Sequence, residues 1–216
     1  MNLVIQTMVP EMIRMTVETF QKHHILRSAE YFEKCLYEQN LGQRSIFIAL
    51  IDGTPVGAVH LIYKSQYPGF YEDNIPEIND LAVVGPFRRM GIGTKLVQTC
   101  EAAARAKGYS SIGLGVGLYR DYGNAQRPYH QMGYIPDGKG LMYNNSPVPP
   151  GTQVYVDDDL LIYLVKKITA PGNLSGAEFT TMCMIHDPDS NRVVVQQRCK
   201  SWKGISFPGS HVEPGE

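Results

Sequence analysis

Arg88-Arg89-Met90-Gly91-Ile92-Gly93 decides how this chain is read, because it joins a strand to a helix through a basic turn that carries two glycines. Upstream, Ile78-Asn79-Asp80-Leu81-Ala82-Val83-Val84 ends in β-branched residues and reads as a strand. Downstream, Ile92, Leu96, Val97, Cys100, Ala103 and Ala104 recur at helical spacing, with Lys95, Gln98, Glu101 and Arg105 on the other face and Gly108 as the stop. A helix begins with unpaired backbone N–H groups and the positive end of its dipole. Gly91 and Gly93 let an anion come close to that backbone, and Arg88 and Arg89 add charge. The junction is therefore read as a phosphate-binding loop; the alternative is an ordinary tight turn with two surface arginines.

Spacing separates the phosphate-binding families. A Walker loop needs Gly-x4-Gly-Lys-Ser/Thr, which is absent, and the dinucleotide fingerprint needs a third glycine where this chain has Leu96. What remains is Arg-x-x-Gly-x-Gly. With Leu81-Ala82-Val83 before it and Ala125-Gln126-Arg127-Pro128-Tyr129-His130-Gln131-Met132-Gly133-Tyr134 after it, the chain resembles the Gcn5-related N-acetyltransferase (GNAT) family over residues 1–168. The resemblance implies a mixed α/β fold, a twisted mixed sheet flanked by helices, and acetyl-CoA as cosubstrate.

Composition agrees with a globular enzyme and excludes other classes. Hydrophobic residues make up 43% and charged residues 19%, which argues against disorder of the whole. A net charge of -1 argues against a broad nucleic-acid surface. Cys35, Cys100, Cys183 and Cys199 form no Cys-x-x-Cys pair, so neither a zinc site nor a disulfide framework is suggested, and they are read as reduced, mostly buried thiols. No histidine spacing suggests a metal. Met1 to Pro10 has no basic segment, and no apolar run approaches the roughly 20 residues that span a bilayer. A cytoplasmic protein without membrane or nucleic-acid partners is expected, with a homodimer allowed.

Along the chain, Asn2 to Met8 reads as a strand and Pro10 as a helix start with Met12, Ile13, Met15, Thr16 and Phe20 in its stripe. A second helix opens at Ser28 and ends near Asn40 and Gly42. Ser45 to Ile51 and Val56 to Tyr63 form a hairpin about Asp52-Gly53. Residues 64–76 read as an aromatic-rich loop and Ser110 to Leu118 as a strand. A short helix around Gln126 to Met132 follows, then a hairpin from Tyr134 to Lys167. Gly113-Leu114-Gly115-Val116-Gly117 opens no helix, so close backbone packing in a strand explains it better than a nucleotide loop.

Composition shifts after residue 168. Residues 169–178 read as a linker, and residues 179–216 as strands around an Asp187-Pro188-Asp189-Ser190 turn. The last stretch, Phe207 to Glu216, resembles the opening of the Nudix hydrolase box, with Ser210 in the glycine position and the chain stopping at the first glutamate. The resemblance implies a truncated Nudix-like segment without its catalytic helix, and a longer parent that also hydrolyses a nucleoside diphosphate derivative. An unrelated hairpin is the alternative.

Acetyl transfer to an amine needs a cofactor grip, a base, carbonyl polarisation and an acid for the departing thiolate. The family resemblance assigns the grip to Arg88, Arg89, Met90, Gly91, Ile92, Gly93 and Thr94, and pairs the pantetheine arm with the strand backbone at Leu81 and Val83 where the sheet splays. Val83 is the expected carbonyl donor. The base has to deprotonate an ammonium, and holding an amine of pKa about 10.4 neutral at pH 7 costs about 4.6 kcal/mol. Glu77 lies at the offset of the family's catalytic glutamate. Alternation puts it on one face with Asn79, Leu81 and Val83; Pro76 before it leaves open a solvated bystander at the strand mouth. Asp80 points to the opposite face in regular geometry and is second choice. Tyr129 matches the family's proton-donating tyrosine in Tyr-x3-Gly-aromatic. Asn124 is read as lying just before that helix, as its cap or as a contact to pantetheine, and Pro128 as delaying the helix start. Asp157-Asp158-Asp159 reads as a solvated turn or an attractor for a cationic amine. Specificity is expected from residues 20–30 and 64–76. A non-catalytic acyl-CoA sensor is the competing class.

Overall fold

The computed structural model describes residues 2–168 and, beyond them, the backbone of short strands only; within the first part the side chains of Asp121, Asn124 and Ala125 are not described. The chain divides into two compact units, Met1–Pro171 and Gly172–Glu216. In chain order the first contains β1 (Leu3–Thr7), α1 (Ile13–Lys22), α2 (Ala29–Asn40), β2 (Arg44–Ile51) and β3 (Thr54–Ile62). Then come α3 (Pro68–Glu72), β4 (Glu77–Val83), α4 (Ile92–Ala106), β5 (Ser111–Gly117), α5 (Gly123–Gln131), β6 (Ile135–Tyr143), β7 (Ser146–Pro147) and β8 (Leu160–Lys167). The strands make a single sheet in the order β1-β2-β3-β4-β5-β8-β6-β7. All its pairs are antiparallel except β4 with β5, as the mixed sheet expected from the sequence requires.

Local chemistry fixes most boundaries. Asp52 and Gly53 both have positive φ, 47° and 84°, so β2 and β3 join through the turn type whose twist suits a hairpin. Ser28 caps α2, its Oγ accepting the Tyr31 N–H at 3.2 Å. At the other end of the α1–α2 connection, His24 adopts φ 59° and Ile25 N–H returns to the Phe20 carbonyl at 2.9 Å. Residues 23–28 are thus held between a helix stop and a helix cap. α4 ends the same way, with Gly108 at φ 85° and Tyr109 N–H on the Ala104 carbonyl at 3.1 Å.

Helices cover both faces of the sheet. On β3, His60 stands among the rings of Tyr31 and Phe32 of α2. The opposite face meets α4: a Cβ at Gly57 would lie 3.3 Å from Leu96 Cδ1 and 2.9 Å from the Ala82 carbonyl. The α4 stripe of Ile92, Leu96, Val97, Cys100 and Ala104 is buried there as expected.

Glu101 departs from its expected solvent face. It is 4% exposed, because it follows Val97 by four residues and precedes Ala104 by three, which puts all of them on one side of the helix. Lys166 Nζ at 2.8 Å, Tyr134 Oη at 3.1 Å and Arg105 Nη2 at 3.9 Å compensate the buried charge. Glu101→Ala would strand the Lys166 ammonium and the Tyr134 hydroxyl. Unfolding in urea is expected to show a loss of about 3 kcal/mol.

Residues 64–76 are less of a loop than expected. Pro68 opens the short α3, and Tyr67, Phe70, Met142 and Tyr163 form a second small core. Tyr67 stacks on Tyr163 with centroids 3.6 Å apart. The glycines of β5 make room for rings: a Cβ at Gly113 would overlap Phe70 and one at Gly115 would come within 3.1 Å of Tyr163, both of this small core, while one at Gly117 would overlap Tyr122 of the main core. Close packing, and not a nucleotide loop, accounts for that glycine string.

In the second unit, Thr180–Met182 pairs with Gly209–His211, His186–Asp187 with Arg192–Val193, and Gln196–Arg198 with Gly204–Ser206, all antiparallel. Residues 183–185, 194 and 195 of the expected strands lie outside the described residues. The linker at 169–178 and the rest of the Nudix-like string lie outside the described residues.

Candidate active site

β4 and β5 start as parallel neighbours and then part. They pair only at Glu77 with Gly113 and Ile78 with Leu114, so beyond Ile78 the facing backbone of the two strands is open to a ligand. The cause lies in β4. Asp80 has φ 49°, and two residues, Asp80 and Leu81, fall opposite Val59 of β3 between the pairs His60–Asn79 and Ala58–Ala82. This is a β-bulge, which bends the strand and re-aims its side chains.

The bulge overturns the expected alternation. Glu77 and Asn79 share a face, joined by Asn79 Nδ2 donating to Glu77 Oε1 at 3.1 Å. Leu81 instead turns toward α4, its Cδ2 4.0 Å from where a Cβ of Gly93 would stand, and Val83 Cγ2 lies 3.3 Å from a Cβ at Gly57 on the same side. Asp80, expected on the opposite face from Glu77, joins the α2 side and meets Tyr31 and Arg27. Nor is Glu77 a solvated bystander: it is 7% exposed and also accepts from Ser65 Oγ at 2.5 Å. Its donors are neutral.

The basic turn lies at the open end of β4. Arg89 at φ 63° and Gly91 at φ 78° lead into α4, whose N-cap Gly91 supplies no side-chain cap and whose first turn holds no acidic residue. Arg88, Arg89, Met90 and Gly91 are exposed. Gly93 has no steric need inside the protein, since a Cβ there would touch only Leu81 at 4.0 Å. Glycine within a helix costs about 0.5–1 kcal/mol relative to alanine, so its presence fits the approach of something from outside. Arg88 is not simply a free charge: its Nε donates to the Val83 carbonyl at 2.9 Å and ties the turn to β4.

Tyr129 sits on α5, and the spacing of its motif is structural. Gly133 at φ 88° ends the helix, and Tyr134 N–H returns to the Tyr129 carbonyl at 3.0 Å. That closure places the two rings edge to face, 6.0 Å apart. The Tyr129 hydroxyl makes no hydrogen bond to a described residue. Burial, with Cys100 as a lesser cause, pushes its pKa up to about 12, so the phenol is a protonated donor throughout the neutral range. Two expectations about α5 are corrected. Pro128 does not delay the helix, which begins at Gly123, and Asn124 lies inside it and not at its cap, which is Tyr122.

A cleft of about 620 Å3 opens on the α2 side of the bulge, lined by Gln21, Leu26, Arg27, Ser28, Tyr31, Asn79 and Asp80. Of the two segments expected to set specificity, residues 20–30 line it, while Tyr67 and Phe70 of the other are core. Arg27 grips Asp80 with both arms, Nε to Oδ2 at 2.9 Å and Nη2 to Oδ1 at 2.5 Å, and Tyr31 Oη donates to Oδ2 at 2.6 Å. Burial pushes the Asp80 carboxyl up, but the hydrogen bonds from Arg27 and Tyr31 outweigh it and its pKa is lowered. Behind them His60 is fully buried and burial pulls its pKa down to about 4, so it is neutral. The aspartate turn is bound more tightly than a solvated one: Asp158 accepts from Tyr119 and Tyr122, and Asp157 from Tyr143. Sequence reasoning missed Arg27 and Tyr31, which stand 53 and 49 residues from Asp80. The Asn79-Asp80 pair, residues that tolerate left-handed backbone inside a strand, was the available signal.

No helix among the described residues is long and apolar enough to cross a membrane. No curated protein matches the chain in sequence. Among solved structures, an N-acetyltransferase from Staphylococcus aureus Mu50 superposes with a TM-score of 0.60 at 16% identity, covering 78% of this chain and 100% of that one. Ard1 from Thermoplasma volcanium gives 0.58 at 18% identity, with coverages of 78% and 99%. PaiA N-acetyltransferase from Thermoplasma acidophilum, solved with coenzyme A, gives 0.52 at 17% identity, with coverages of 77% and 99%. At these identities the likeness is one of fold. The sequence model of the acetyltransferase (GNAT) family matches residues 9–134, more than half of the chain. The chain thus belongs to the GNAT family of acetyltransferases, which take their acetyl group from acetyl-CoA.

Proposed function

We propose that residues 1–168 form an N-acetyltransferase domain that moves acetyl from acetyl-CoA directly to a primary amine, with the pyrophosphate on the turn and first helical residues Arg88, Arg89, Met90, Gly91, Ile92, Gly93 and Thr94. The observation that carries this reading is the uncapped, acid-free start of α4 beside the opening between β4 and β5. Backbone N–H groups and the helix dipole favour an anion there. The pantetheine arm runs along the open edge of β4 at Leu81 and Val83 toward Asn124.

The acceptor enters from the cleft as an ammonium. Glu77 takes a proton from it through a water beside Asn79 and passes it to solvent. Glu77 is preferred to Asp80 because its partners are neutral, whereas the guanidinium on Asp80 lowers its basicity. The freed amine attacks the thioester carbon, the C–N bond forms, and the Val83 N–H stabilises the charge on oxygen. The C–S bond then breaks, the nitrogen loses its second proton to water, and the sulfur gains one from Tyr129, which is reprotonated from solvent. One proton is released per turnover. A phenol near 12 facing a thiol near 8.5 gives up its proton uphill by about 5 kcal/mol, so Tyr129 works chiefly as a hydrogen-bond donor to sulfur as charge grows.

Calorimetry with acetyl-CoA, followed by an amine panel read as free thiol, tests the reading; binding without turnover would leave an acyl-CoA sensor instead. Glu77→Gln is expected to slow turnover most near pH 7 and progressively less toward pH 10, where the amine arrives neutral. A pH-independent loss would make Glu77 a positioning residue. For residues 179–216 a Nudix-like segment after a linker at 169–178 remains our reading, supported by the Phe207 to Glu216 string. It supplies nothing to acetyl transfer in this scheme.

A further inference from the structure

Arg27 and Asp80 form an ion pair at the wall of the acceptor cleft, where a catalytic cleft would be expected to leave its charges for the substrate. Arg27 is 36% exposed along its side chain and Asp80 is 13% exposed. The pair is held from several sides. Tyr31 Oη bonds Asp80, the Arg27 guanidinium stands 5.6 Å from the Tyr31 ring centroid, and Arg27 Nη1 donates to the Leu26 carbonyl at 2.8 Å. These bonds leave one N–H on each Nη of Arg27 without an acceptor among the described residues. On Asp80, Oδ2 accepts twice but Oδ1 only once, so Oδ1 has room for another donor. Asp158 is already engaged by Tyr119 and Tyr122.

A ligand meeting this wall therefore finds an anion acceptor site and a cation donor site side by side, already neutralising each other. A simple ammonium is attracted by Asp80 and repelled by Arg27, and a simple carboxylate meets the reverse. A molecule with both charged groups attached to one carbon satisfies both at once and need not break the pair. Resting on the acetyltransferase reading above, we propose that the acceptor is an amine bearing a carboxylate on the carbon next to its reactive nitrogen, the α-amino acid class, with its carboxylate on Arg27 and its ammonium on Asp80. Asp80 lies at the bulge where β4 leaves β5, so this binding mode brings the nitrogen to the opening proposed for the thioester. Arg27 is then a specificity-determining residue. A peptide N-terminus, which carries an amide in place of that carboxylate, is discriminated against.

The test separates binding from chemistry. The full chain saturated with CoA, which cannot transfer acetyl, is titrated with each of the standard α-amino acids, their α-amides and the corresponding decarboxylated amines; thiol release with acetyl-CoA is then measured on the same compounds. For the best amino acid, the free carboxylate should bind at least thirtyfold tighter than its amide or amine, and kcat/KM should show the same order. Arg27→Gln should reduce that preference to within about threefold, and Arg27→Lys should restore part of it because a charge returns without the fork. Unchanged acetyl-CoA affinity and a cooperative unfolding transition in both variants serve as the fold check. Equal binding of acid, amide and amine, or a preference that survives Arg27→Gln, overturns the proposal while leaving acetyl transfer intact. Amino-acid binding with no thiol released from any compound supports the clamp and counts against the transferase reading.

Discussion

Gly93→Glu is expected to weaken acetyl-CoA binding at least about a hundredfold, roughly 2.7 kcal/mol, without weakening the fold. Gly93 is the second residue of α4, its backbone needs no left-handed conformation, and the space around its missing Cβ is open. Replacing glycine gains helix propensity, and a carboxylate in the first turn interacts favourably with the helix dipole. The same carboxylate occupies the position proposed for the pyrophosphate and takes up the N–H groups meant for it. Melting temperature without ligand should therefore hold or rise, and the stabilisation by acetyl-CoA, about 2.7 kcal/mol at a hundred times Kd for the unaltered chain, should fall to about 0.4 kcal/mol or less at the same concentration. Unchanged affinity in calorimetry would remove the helix start from the cofactor site. Because stability and binding move in opposite directions, a misfolded variant cannot imitate the expected result.

Tyr129→Phe should lower kcat by about tenfold to a thousandfold and leave acetyl-CoA affinity nearly unchanged. The ring packs edge to face on Tyr134 and is kept by phenylalanine, and the hydroxyl has no partner among the described residues, so little stability is lost. With its pKa pushed up to about 12, Tyr129 keeps its proton until the pH nears that value; its contribution is present below it and is lost only as pH rises through it. The kcat profile of the unaltered protein should accordingly show no alkaline limb from this group below about pH 10. A full rate in the phenylalanine variant would assign thiolate protonation to solvent.

What the sequence determined by itself was local. The strand–turn–helix junction at Arg88 to Gly93 was legible because glycine position, basic charge and the α4 periodicity are all written within about thirty residues. So was the Asp52-Gly53 hairpin, where turn chemistry dictates backbone sign. Tyr129-x3-Gly133-Tyr134 was legible for a reason the structure supplies: the spacing is that of a helix stop whose closing bond brings the two rings together.

What only the tertiary structure decided are the effects of one backbone irregularity and of distant partners. The left-handed Asp80 reverses the alternation of β4, so Leu81 and Val83 turn to α4 and Asp80 joins the face of Glu77 and Asn79, a reversal that strict period-two reading cannot express. Glu101 looked solvent-facing because charge is the local cue, yet Lys166, 65 residues away, makes its burial tolerable. The aromatic segment looked like a specificity loop until Tyr163 and the space left at Gly113 and Gly115 made it core. The cleft itself is assembled from residues 21–31 and 79–80, far apart in the chain. Periodicity and motif spacing act over a turn or two of chain; charge compensation, ring packing and cleft formation act through space, and only folding brings those groups together.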